Sequence, residues 1–323
     1  MQTLTDKRNI LIVGQTPDIH IETIQSILKS RGIDSLLLHR GYGDSCSFYI
    51  DTNSSRGRVF ASDRFYWLDE ISAVWWRMKP SSPVEFSGGQ GSVEETMKWV
   101  EWRHQLRSLS TYTSNAFWIN RLSNHYEASY KPTQLFIAQK LGFNIPKTVI
   151  SNNPNDILEL FDNEARVIYK TLSSFIIPPD EIIYTNEIYK KDIEECREQI
   201  SLAPGIYQEF INKQYELRIT LVGHKIFAVK IDSQKTSHTK VDWRRDQLQD
   251  MYEFVKLDKN FESMIHKLHK KLGLFYGAYD FVVDNRDKYF FLECNPGGQW
   301  LWLENALNLP ISKEIASALA EKT

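Results

Sequence analysis

Apolar and polar residues alternate along this chain in blocks that predict a succession of strands and helices. The apolar run Asn9–Val13 predicts a buried strand, the stretch Ile19–Ser30 an amphipathic helix, and Ser35–Leu38 a second strand. Such a β-α-β opening is typical of a small parallel sheet. Ala73–Met78 predicts another strand and Ser92–Leu109 a long helix, so we expect an α/β domain at the start of the chain.

The same alternation continues through the middle of the chain and then changes character. We expect a helix over His125–Leu141, which Pro132 should kink or restart, and a second helix over Asn155–Phe161. Strands are expected at IPKTVIS and at Arg166–Leu172. From Ile206 the runs IYQEFI, ELRITLVG and KIFAVKI indicate an antiparallel meander.

These changes of pattern divide the chain into three predicted regions within an overall α/β (α+β) fold class. Residues 1–117 form the N-terminal α/β domain, and residues 118–205 form a central α/β subdomain. Residues 206–323 form a C-terminal subdomain that is built around an antiparallel sheet. A polar stretch without periodicity, Ser233–Asp246, is expected to be a loop over a site.

Composition narrows the function classes. The 323 residues include 39 basic and 41 acidic side chains, so the net charge of −2 gives no reason to expect nucleic acid or an anionic membrane as a partner. No apolar stretch reaches the 18 residues that suggest a transmembrane helix. Three cysteines without metal-binding spacing indicate a reduced, cytoplasmic setting.

The chemistry concentrates in Tyr279–Glu304, which predicts a hairpin joined by the loop Asn285–Lys288. If Asp284 pairs with Tyr289, then Asp280 lies across from Glu293, and the alternation of side chains brings Asn295 to the same face. Carboxylates about 5 Å apart repel by about 3 kcal/mol at an effective dielectric of about 20. Oxygen ligands without histidine or cysteine favour Mg²⁺, or alternatively Mn²⁺, between them. The other interpretation is a pair of solvated carboxylates at strand ends.

Cationic residues occupy the strands predicted around this hairpin. Glu216 and Arg218 share one face of their strand, and we expect Lys230 on the next strand to extend that face. Lys170 lies inside the apolar run VIYKT, and Lys131 precedes a proline at a helix start, where backbone N–H groups favour anions. Such a set suits a polyphosphate and a carboxylate substrate, although a solvated face with salt bridges would have the same composition.

Taken together, these motifs resemble the ATP-grasp superfamily over about residues 118–305. The resemblance comes from the order and spacing of Lys131, the strand lysine Lys170, the segment QEFI, the strand ELRITLVG, the loop VDWRRD and the D…ExN set of the hairpin. Within that superfamily, NRLSNHYEASYKPTQLFIAQKLGFNIPKT and FLECNPGGQWLWLE are similar to the maturases that make graspetides, the microviridin-type peptides with ω-ester and ω-amide rings. The ribosomal-protein glutamate ligases look like more distant relatives.

The resemblance implies a role for each matching residue and an N-terminal pre-ATP-grasp domain. Lys131 and Lys170 would contact the α- and β-phosphates of ATP, and Arg218 and Arg244 would face the γ-phosphate and the substrate carboxylate. The remaining nucleotide and metal contacts would come from Gln208 and Glu209 at the adenine amino group, the backbone of Phe210 and Ile211 beside it, Glu216 at the ribose or triphosphate, and Asp280, Glu293 and Asn295 at Mg²⁺. Lys230 joins Glu216, Arg218 and Arg244 in the predicted catalytic group. One departure is that TLSSFIIPPDE, which follows Lys170, contains none of the glycines that cover the triphosphate in many relatives.

The implied function is an ATP-dependent peptide macrocyclase. It would join Asp or Glu side chains to Ser, Thr or Lys side chains of a ribosomal precursor peptide through an acyl phosphate, and it would act as a homodimer. One alternative is a ligase that adds an amine to a separate carboxylate substrate, as glutamate ligases do. Another is a non-catalytic ATP-binding module.

Overall fold

The computed structural model describes residues 9–39, 46–61, 63–78, 92–163, 166–173, 176–177, 181–182, 184–235, 244 and 249–321. Within them the chain forms two compact units. Unit 1 comprises residues 1–125, 274–276 and 297–323, and unit 2 comprises residues 126–273 and 277–296. Most of the predicted loop Ser233–Asp246 lies outside the described residues, as does part of the segment after Lys170.

Helices and strands alternate through most of the described chain. The helices are α1 Ile19–Ser30, α2 Val93–Tyr112, α3 Leu122–Ala128, α4 Lys131–Lys140, α5 Pro154–Asn163, α6 Lys190–Glu195, α7 Arg197–Leu202, α8 Lys259–Lys271, α9 Leu301–Leu307 and α10 Ile311–Glu321. The first nine strands are β1 Asn9–Gly14, β2 Ser35–His39, β3 Cys46–Asp51, β4 Arg56–Ala61, β5 Arg64–Trp67, β6 Ile71–Trp76, β7 Phe117–Ile119, β8 Thr148–Ser151 and β9 Val167–Lys170. The remaining strands are β10 Ile176–Ile177, β11 Glu181–Ile182, β12 Asn186–Ile188, β13 Gly205–Glu209, β14 Lys213–Val222, β15 Lys225–Ile231, β16 Tyr252–Val255, β17 Tyr276–Asp284 and β18 Tyr289–Asn295.

Unit 1 is built on a parallel sheet in the order β2-β1-β6-β7. Strand β1 is buried along its whole length, as its unbroken apolar run predicts. Helix α1 begins at the N-cap Asp18, whose side chain accepts a hydrogen bond from the backbone N–H of His20. The predicted β-α-β opening is confirmed, because β1, α1 and β2 lie within one residue of their expected bounds.

Two features of unit 1 differ from the sequence prediction. Strands β3, β4 and β5 form a separate antiparallel sheet that the sequence analysis did not predict. The segment 297–323 was assigned to the C-terminal subdomain, yet its helix α10 packs on α1 and β6 of unit 1. Its buried face, which includes Ile311, Ile315 and Leu319, explains this position, since an apolar helix face is buried by whichever sheet it meets.

The described residues of unit 2 form a four-stranded antiparallel sheet and a five-stranded sheet. The first has the order β12-β9-β13-β8, so β13 is a central strand of this sheet. The expectation that β13 starts a meander with β14 was therefore wrong, although both segments are strands. The predicted helix around Pro132 is two helices, α3 and α4, and the proline lies in the first turn of the second. A proline lacks the N–H that a helix interior needs, so it is tolerated at this position.

The second sheet of unit 2 has the order β16-β15-β14-β17-β18. Behind its β17–β18 hairpin lies an aromatic core in which Phe281 and Phe291 are fully buried. Their ring centroids are 5.4 Å apart, and Phe261 lies 5.3 Å from Phe281 and stacks on Tyr289 at 4.3 Å. These four rings therefore form a packed aromatic cluster.

In the described part of the chain, none of the helices combines the length and the apolar character that crossing a bilayer requires.

Replacing the central ring of this core should destabilise unit 2 strongly. We expect Phe281→Ala to lower the free energy of unfolding by about 3–5 kcal/mol, because the lost ring leaves a cavity among packed aromatic neighbours. Urea unfolding followed by circular dichroism measures the effect. The matched control is Phe254→Ala on β16, where the side chain is 51% exposed and the cost should stay below about 1 kcal/mol. Equal effects of the two substitutions would contradict this assignment.

Candidate active site

The hairpin places two carboxylates opposite each other, as predicted, but through a different register. Val283, and not Asp284, pairs with Tyr289, and the register shifts by one residue between Phe281 and Asp280. The extra residue of this β-bulge is Leu292, since Phe291 pairs with Phe281 and Glu293 pairs with Asp280. The premise of the prediction was therefore wrong by one residue, and the bulge restores the predicted pairing of Asp280 with Glu293.

Each carboxylate of this pair contacts a cation from another element of unit 2. Arg218 of β14 donates to Asp280 over 2.6 Å between Nη1 and Oδ2. The Nζ atom of Lys131, in the first turn of α4, lies 3.3 Å from Oε2 of Glu293. Both acids are largely buried, with side-chain exposures of 16% for Asp280 and 30% for Glu293. A buried pair of like charges thus has its compensation supplied by nearby elements.

The two acids are not equivalent. Burial raises the pKa of Glu293, but the positive charges of Lys131, Arg244 and Lys170 outweigh this effect and lower that pKa to about 2. Burial also raises the pKa of Asp280, and the neighbouring charge of Glu293 raises it further against the opposing effect of Arg218. Glu293 therefore remains ionised throughout the physiological range, whereas the pKa of Asp280 stays raised despite its contact with Arg218.

This donor set fits a hard divalent cation. Asn295 follows Glu293 by two residues on β18, so strand alternation gives both side chains the same face. Within the described residues, no group of three or more acidic, histidine or cysteine side chains could hold a metal ion. A metal at this place would rely on the carboxylates of Asp280 and Glu293 and the amide oxygen of Asn295, a combination that suits Mg²⁺. A cation there would supply the positive charge that Asp280 lacks.

Lys170 adds a second amine to the site. Its Nζ donates to Oε1 of Gln208 over 2.9 Å, and Nζ of Lys131 donates to the carbonyl of Thr171 over 3.0 Å. Burial lowers the pKa of Lys170 from 10.5 to about 8; Glu293 opposes this, and Lys131 and Lys213 contribute to it. An amine held among other cations in this way is suited to an anionic ligand.

Lys213 belongs to the same charged cluster, and the sequence analysis missed it. Its Nζ lies 2.6 Å from Oε1 of Glu216, and the side chains of both residues are more than 90% buried. Glu216 thus already has a cationic partner that fixes its carboxylate. The predicted strand ELRITLVG begins at Glu216, so Lys213 lay outside every predicted element.

The segment from Gln208 to Ile211 includes the end of β13 and the residues that follow it. Most polar groups of this segment form hydrogen bonds within the protein. The Gln208 amide donates to Oγ1 of Thr148 over 2.8 Å and accepts from Lys170. The backbone N–H of Glu209 donates to the carbonyl of Lys147. In return, the backbone N–H of Lys147 donates to the Glu209 carboxylate. The N–H of Phe210 donates to the Arg166 carbonyl over 3.0 Å. Of the three amides from Glu209 to Ile211, the described contacts leave that of Ile211 for a ligand.

Arg166 holds this segment, and it too was missed by the sequence analysis. Its guanidinium carbon lies 3.7 Å from the ring centroid of Phe210, and its Nη1 donates to the Asn212 side chain over 3.3 Å. Two further N–H groups bond both oxygens of Glu187 at 2.7 Å each. This forked pair fixes the guanidinium plane against the phenyl ring. No short sequence motif predicts the contact, because the partners of Arg166 lie on β12 and in the turn after β13.

Lys230 does not extend the face that carries Arg218, so this part of the prediction was wrong. Strand β15 places Val229 opposite Arg218 and Lys230 opposite Leu217. Cross-strand neighbours point to the same side, so Lys230 lies on the reverse face of the sheet. There its ammonium is 3.8 Å from Glu253 and 4.8 Å from the ring centroid of Tyr215. The prediction counted alternation within each strand correctly but assumed a register that is one residue off.

Arg244 is the described residue of the loop VDWRRD. It is exposed, its guanidinium lies 5.9 Å from the ring centroid of Tyr184, and its charge lowers the pKa of Glu293. The structure thus brings Arg244 into the electrostatic environment of the acidic pair. Lys131, Lys170, Lys213 and Arg218 complete the positive charge there.

Comparison with solved structures identifies proteins with the same fold. The RiPP-associated ATP-grasp ligase of Chryseobacterium gregarium, in complex with ADP and a leader and core peptide, has a TM-score of 0.86 and 28% identity over 98% of this chain and 97% of its own. The macrocyclase MdnC of Microcystis aeruginosa, bound with the precursor peptide MdnA, has a TM-score of 0.85 and 28% identity over 98% of this chain and all of its own. The ATP-grasp ligase PsnB, with Mg, ADP and a precursor variant, reaches a TM-score of 0.78 at 18% identity over 98% of this chain and 99% of its own.

No protein family model and no curated protein sequence matches the chain. The structural likeness extends over nearly the full length of each partner, so it includes both units. The chain therefore has the fold of the ATP-grasp ligases, and its structural neighbours include ligases and macrocyclases of ribosomal peptides.

Proposed function

We propose that this protein is an ADP-forming ATP-grasp ligase that closes rings within a ribosomal precursor peptide. The observation that supports this most is the full-length likeness, at 28% identity, to a ligase bound to ADP with leader and core peptide and to a macrocyclase bound to its precursor. The charged cluster of unit 2 has the composition that this chemistry needs. It combines two carboxylates and an amide for a metal with cations for a triphosphate and a carboxylate substrate.

The position of each residue in the cluster suggests a separate role in binding ATP, the metal or the substrate. Lys131 and Lys170 would bind the inner phosphates, and Lys213 would hold the Glu216 carboxylate in place for the ribose. Arg218 would orient the substrate carboxylate beside the γ-phosphate, because a guanidinium carries five N–H donors and its Nη1 already lies at Asp280 within the site. Mg²⁺ held by Asp280, Glu293 and Asn295 would neutralise phosphate charge. Arg244 would add positive charge from the loop, and Lys230, on the reverse face, would take no part.

The reaction then needs no nucleophile from the enzyme. The γ-phosphoryl group passes to an Asp or Glu side chain of the peptide, which releases ADP and gives an acyl phosphate. A Ser or Thr hydroxyl, or a Lys amine, attacks the acyl carbon, phosphate leaves and the nucleophile loses its proton. Cys294 is buried, and its pKa is raised, by burial above all, so it remains a thiol next to this chemistry. Positioning and electrostatic stabilisation would account for the catalysis.

Several finer expectations belong to this proposal. Mn²⁺ should replace Mg²⁺, because the same oxygen ligands suit both ions. A cytoplasmic location agrees with three cysteines that are all free thiols. We expect the protein to act as a homodimer and to close rings through ester or amide links.

The direct test is ring formation in a cognate precursor. Incubation of the protein with ATP, Mg²⁺ and a precursor peptide encoded beside it should give products lighter by one water per ring, with one ADP released for each ring. Mass spectrometry and an ADP assay measure both. A mass gain that requires an added free amine would instead indicate the intermolecular ligase. Tight ATP binding with neither ADP release nor a change in mass would indicate a non-catalytic module.

The acidic pair should be essential for turnover but not for folding. We expect Asp280→Asn and Glu293→Gln each to reduce ADP formation at least about a hundredfold, since each removes a charged metal ligand, which costs several kcal/mol of transition-state stabilisation. Thermal unfolding should change by only a few degrees, because each replacement has nearly the same shape. Glu253→Gln on the reverse face is the matched control and should keep full activity. Wild-type turnover in either acidic variant would remove the metal assignment.

Lys170 should make nucleotide affinity depend on pH. With a pKa of about 8 in the free protein, Lys170 is largely neutral above that pH, and a bound triphosphate favours its charged form. Binding must then take up a proton, so ATP affinity should fall by up to about tenfold per pH unit above pH 8. Calorimetric titrations between pH 7 and pH 9.5 measure this. Lys170→Arg, which stays charged, should show a flat profile, and an unchanged slope in that variant would rule out Lys170 as the titrating group.

A further inference from the structure

The sheet of β3, β4 and β5 in unit 1 presents aromatic side chains to solvent. Tyr49, Arg58 and Trp67 stand opposite one another on the three strands, and Phe65 lies one alternation further on the same face. Tyr49 is 49% exposed and Phe65 is 52% exposed. We call these four residues the Arg58 face. Contiguous exposed aromatic side chains of this kind mark interaction surfaces more often than scattered single ones do.

The opposite face of this sheet accounts for its stability. Val59 is fully buried there and Leu68 is 1% exposed. The Phe48 ring packs on Trp102 of α2 with centroids 5.6 Å apart. The sheet is therefore anchored from its inner side, so folding alone does not require large rings on its outer side.

The guanidinium at the centre of the Arg58 face lies among three aromatic rings. Its central carbon lies 5.2 Å from the ring centroid of Tyr49 and 5.8 Å from those of Phe65 and Trp67. Among the residues that the structure describes, no acidic side chain pairs with Arg58. Two other arginines of the same sheet do have acidic partners. Arg56 pairs with Asp69 at 3.2 Å, and Arg64 pairs with Asp34 at 3.2 Å.

This arrangement favours a carboxylate as the ligand. Rings beside a guanidinium restrict its orientation while its N–H donors stay directed along the plane, where a carboxylate accepts two of them. The Arg58 side chain is then already ordered before binding, so binding loses less of its conformational entropy. The exposed rings on either side add apolar contact area for the residues that flank the acid.

We propose that the Arg58 face docks an acidic segment of the peptide substrate, with one Asp or Glu carboxylate on Arg58 and the flanking residues on Tyr49 and Phe65. The choice of a peptide as partner rests on the proposed function, which requires a substrate with carboxylate side chains. The face supplies affinity away from the reacting groups. Its loss therefore raises the KM for the peptide and leaves kcat at saturating peptide unchanged.

Binding without turnover tests this directly. The probe is a short fluorescein-labelled peptide in which Glu alternates with Thr and Phe, and its partner peptide carries Gln in place of Glu. Fluorescence anisotropy with the full-length protein, without nucleotide, should show that Arg58→Met weakens binding of the Glu peptide about tenfold, as expected for loss of a charge-assisted bidentate contact. Arg58→Lys keeps the charge but loses the forked pair of N–H donors. Its affinity for the Glu peptide should lie between those of the wild type and Arg58→Met. Arg64→Met, the matched control, should change binding less than about twofold.

Several outcomes would overturn the proposal. Equal affinity of Arg58→Met and the wild type for the Glu peptide would do so, as would equal affinity of the wild type for the Gln peptide. Dissociation of a dimer in Arg58→Met, seen by sedimentation, would assign the face to a second copy of the chain. Displacement of the probe by a single-stranded oligonucleotide, but not by unlabelled Glu peptide, would assign it to nucleic acid. Because nothing here depends on ADP release, the proposed ring closure can fail while peptide docking on Arg58 stands, and the reverse result is equally visible.

Discussion

The constraint on which the site depends is the pairing of two acids across the β17–β18 hairpin. Asp280 and Glu293 are opposed in a largely buried place, where about 3 kcal/mol of repulsion would separate them if nothing compensated it. The backbone ladder and the Phe281 core behind it fix the strands, so the acids cannot move apart. Compensation must come from other elements, and α4 and β14 supply it through Lys131 and Arg218.

The compensation is uneven, and this unevenness has chemical meaning. Three cations act on Glu293 and hold its pKa near 2, whereas the pKa of Asp280 is raised by burial and by Glu293 despite its contact with Arg218. A divalent cation between the acids would restore the balance and would leave Arg218 less tightly committed to Asp280. Arg218 could then turn toward a substrate carboxylate. In the proposed function, metal binding and substrate binding would thus be linked through Arg218.

The sequence was sufficient to predict features that depend on the pattern within one strand or helix. It was insufficient for features that depend on how strands pair. Helix α1 could be placed to the residue because its apolar period and its cap are local. Asp280 and Glu293 could be matched because both lie on one hairpin, although the bulge at Leu292 was invisible. Lys230 was misplaced because its face depends on the β14–β15 register. Lys213 and Arg166 were missed because their partners become neighbours only after folding.

The segment after β13 shows how a fixed backbone can determine what a site accepts. The amides of Glu209 and Phe210 are used by Lys147 and Arg166, so β13 is tied on both sides at the point where it leaves the sheet. If the nucleotide base binds beside this segment, as the proposed function requires, the Ile211 amide would be its donor. Arg166 bonds or stacks on the residues before and after Ile211, so it sets the direction of that donor without touching the base. In the proposed function, the Arg166–Glu187 pair would therefore support the adenine site from outside the residues that contact the nucleotide.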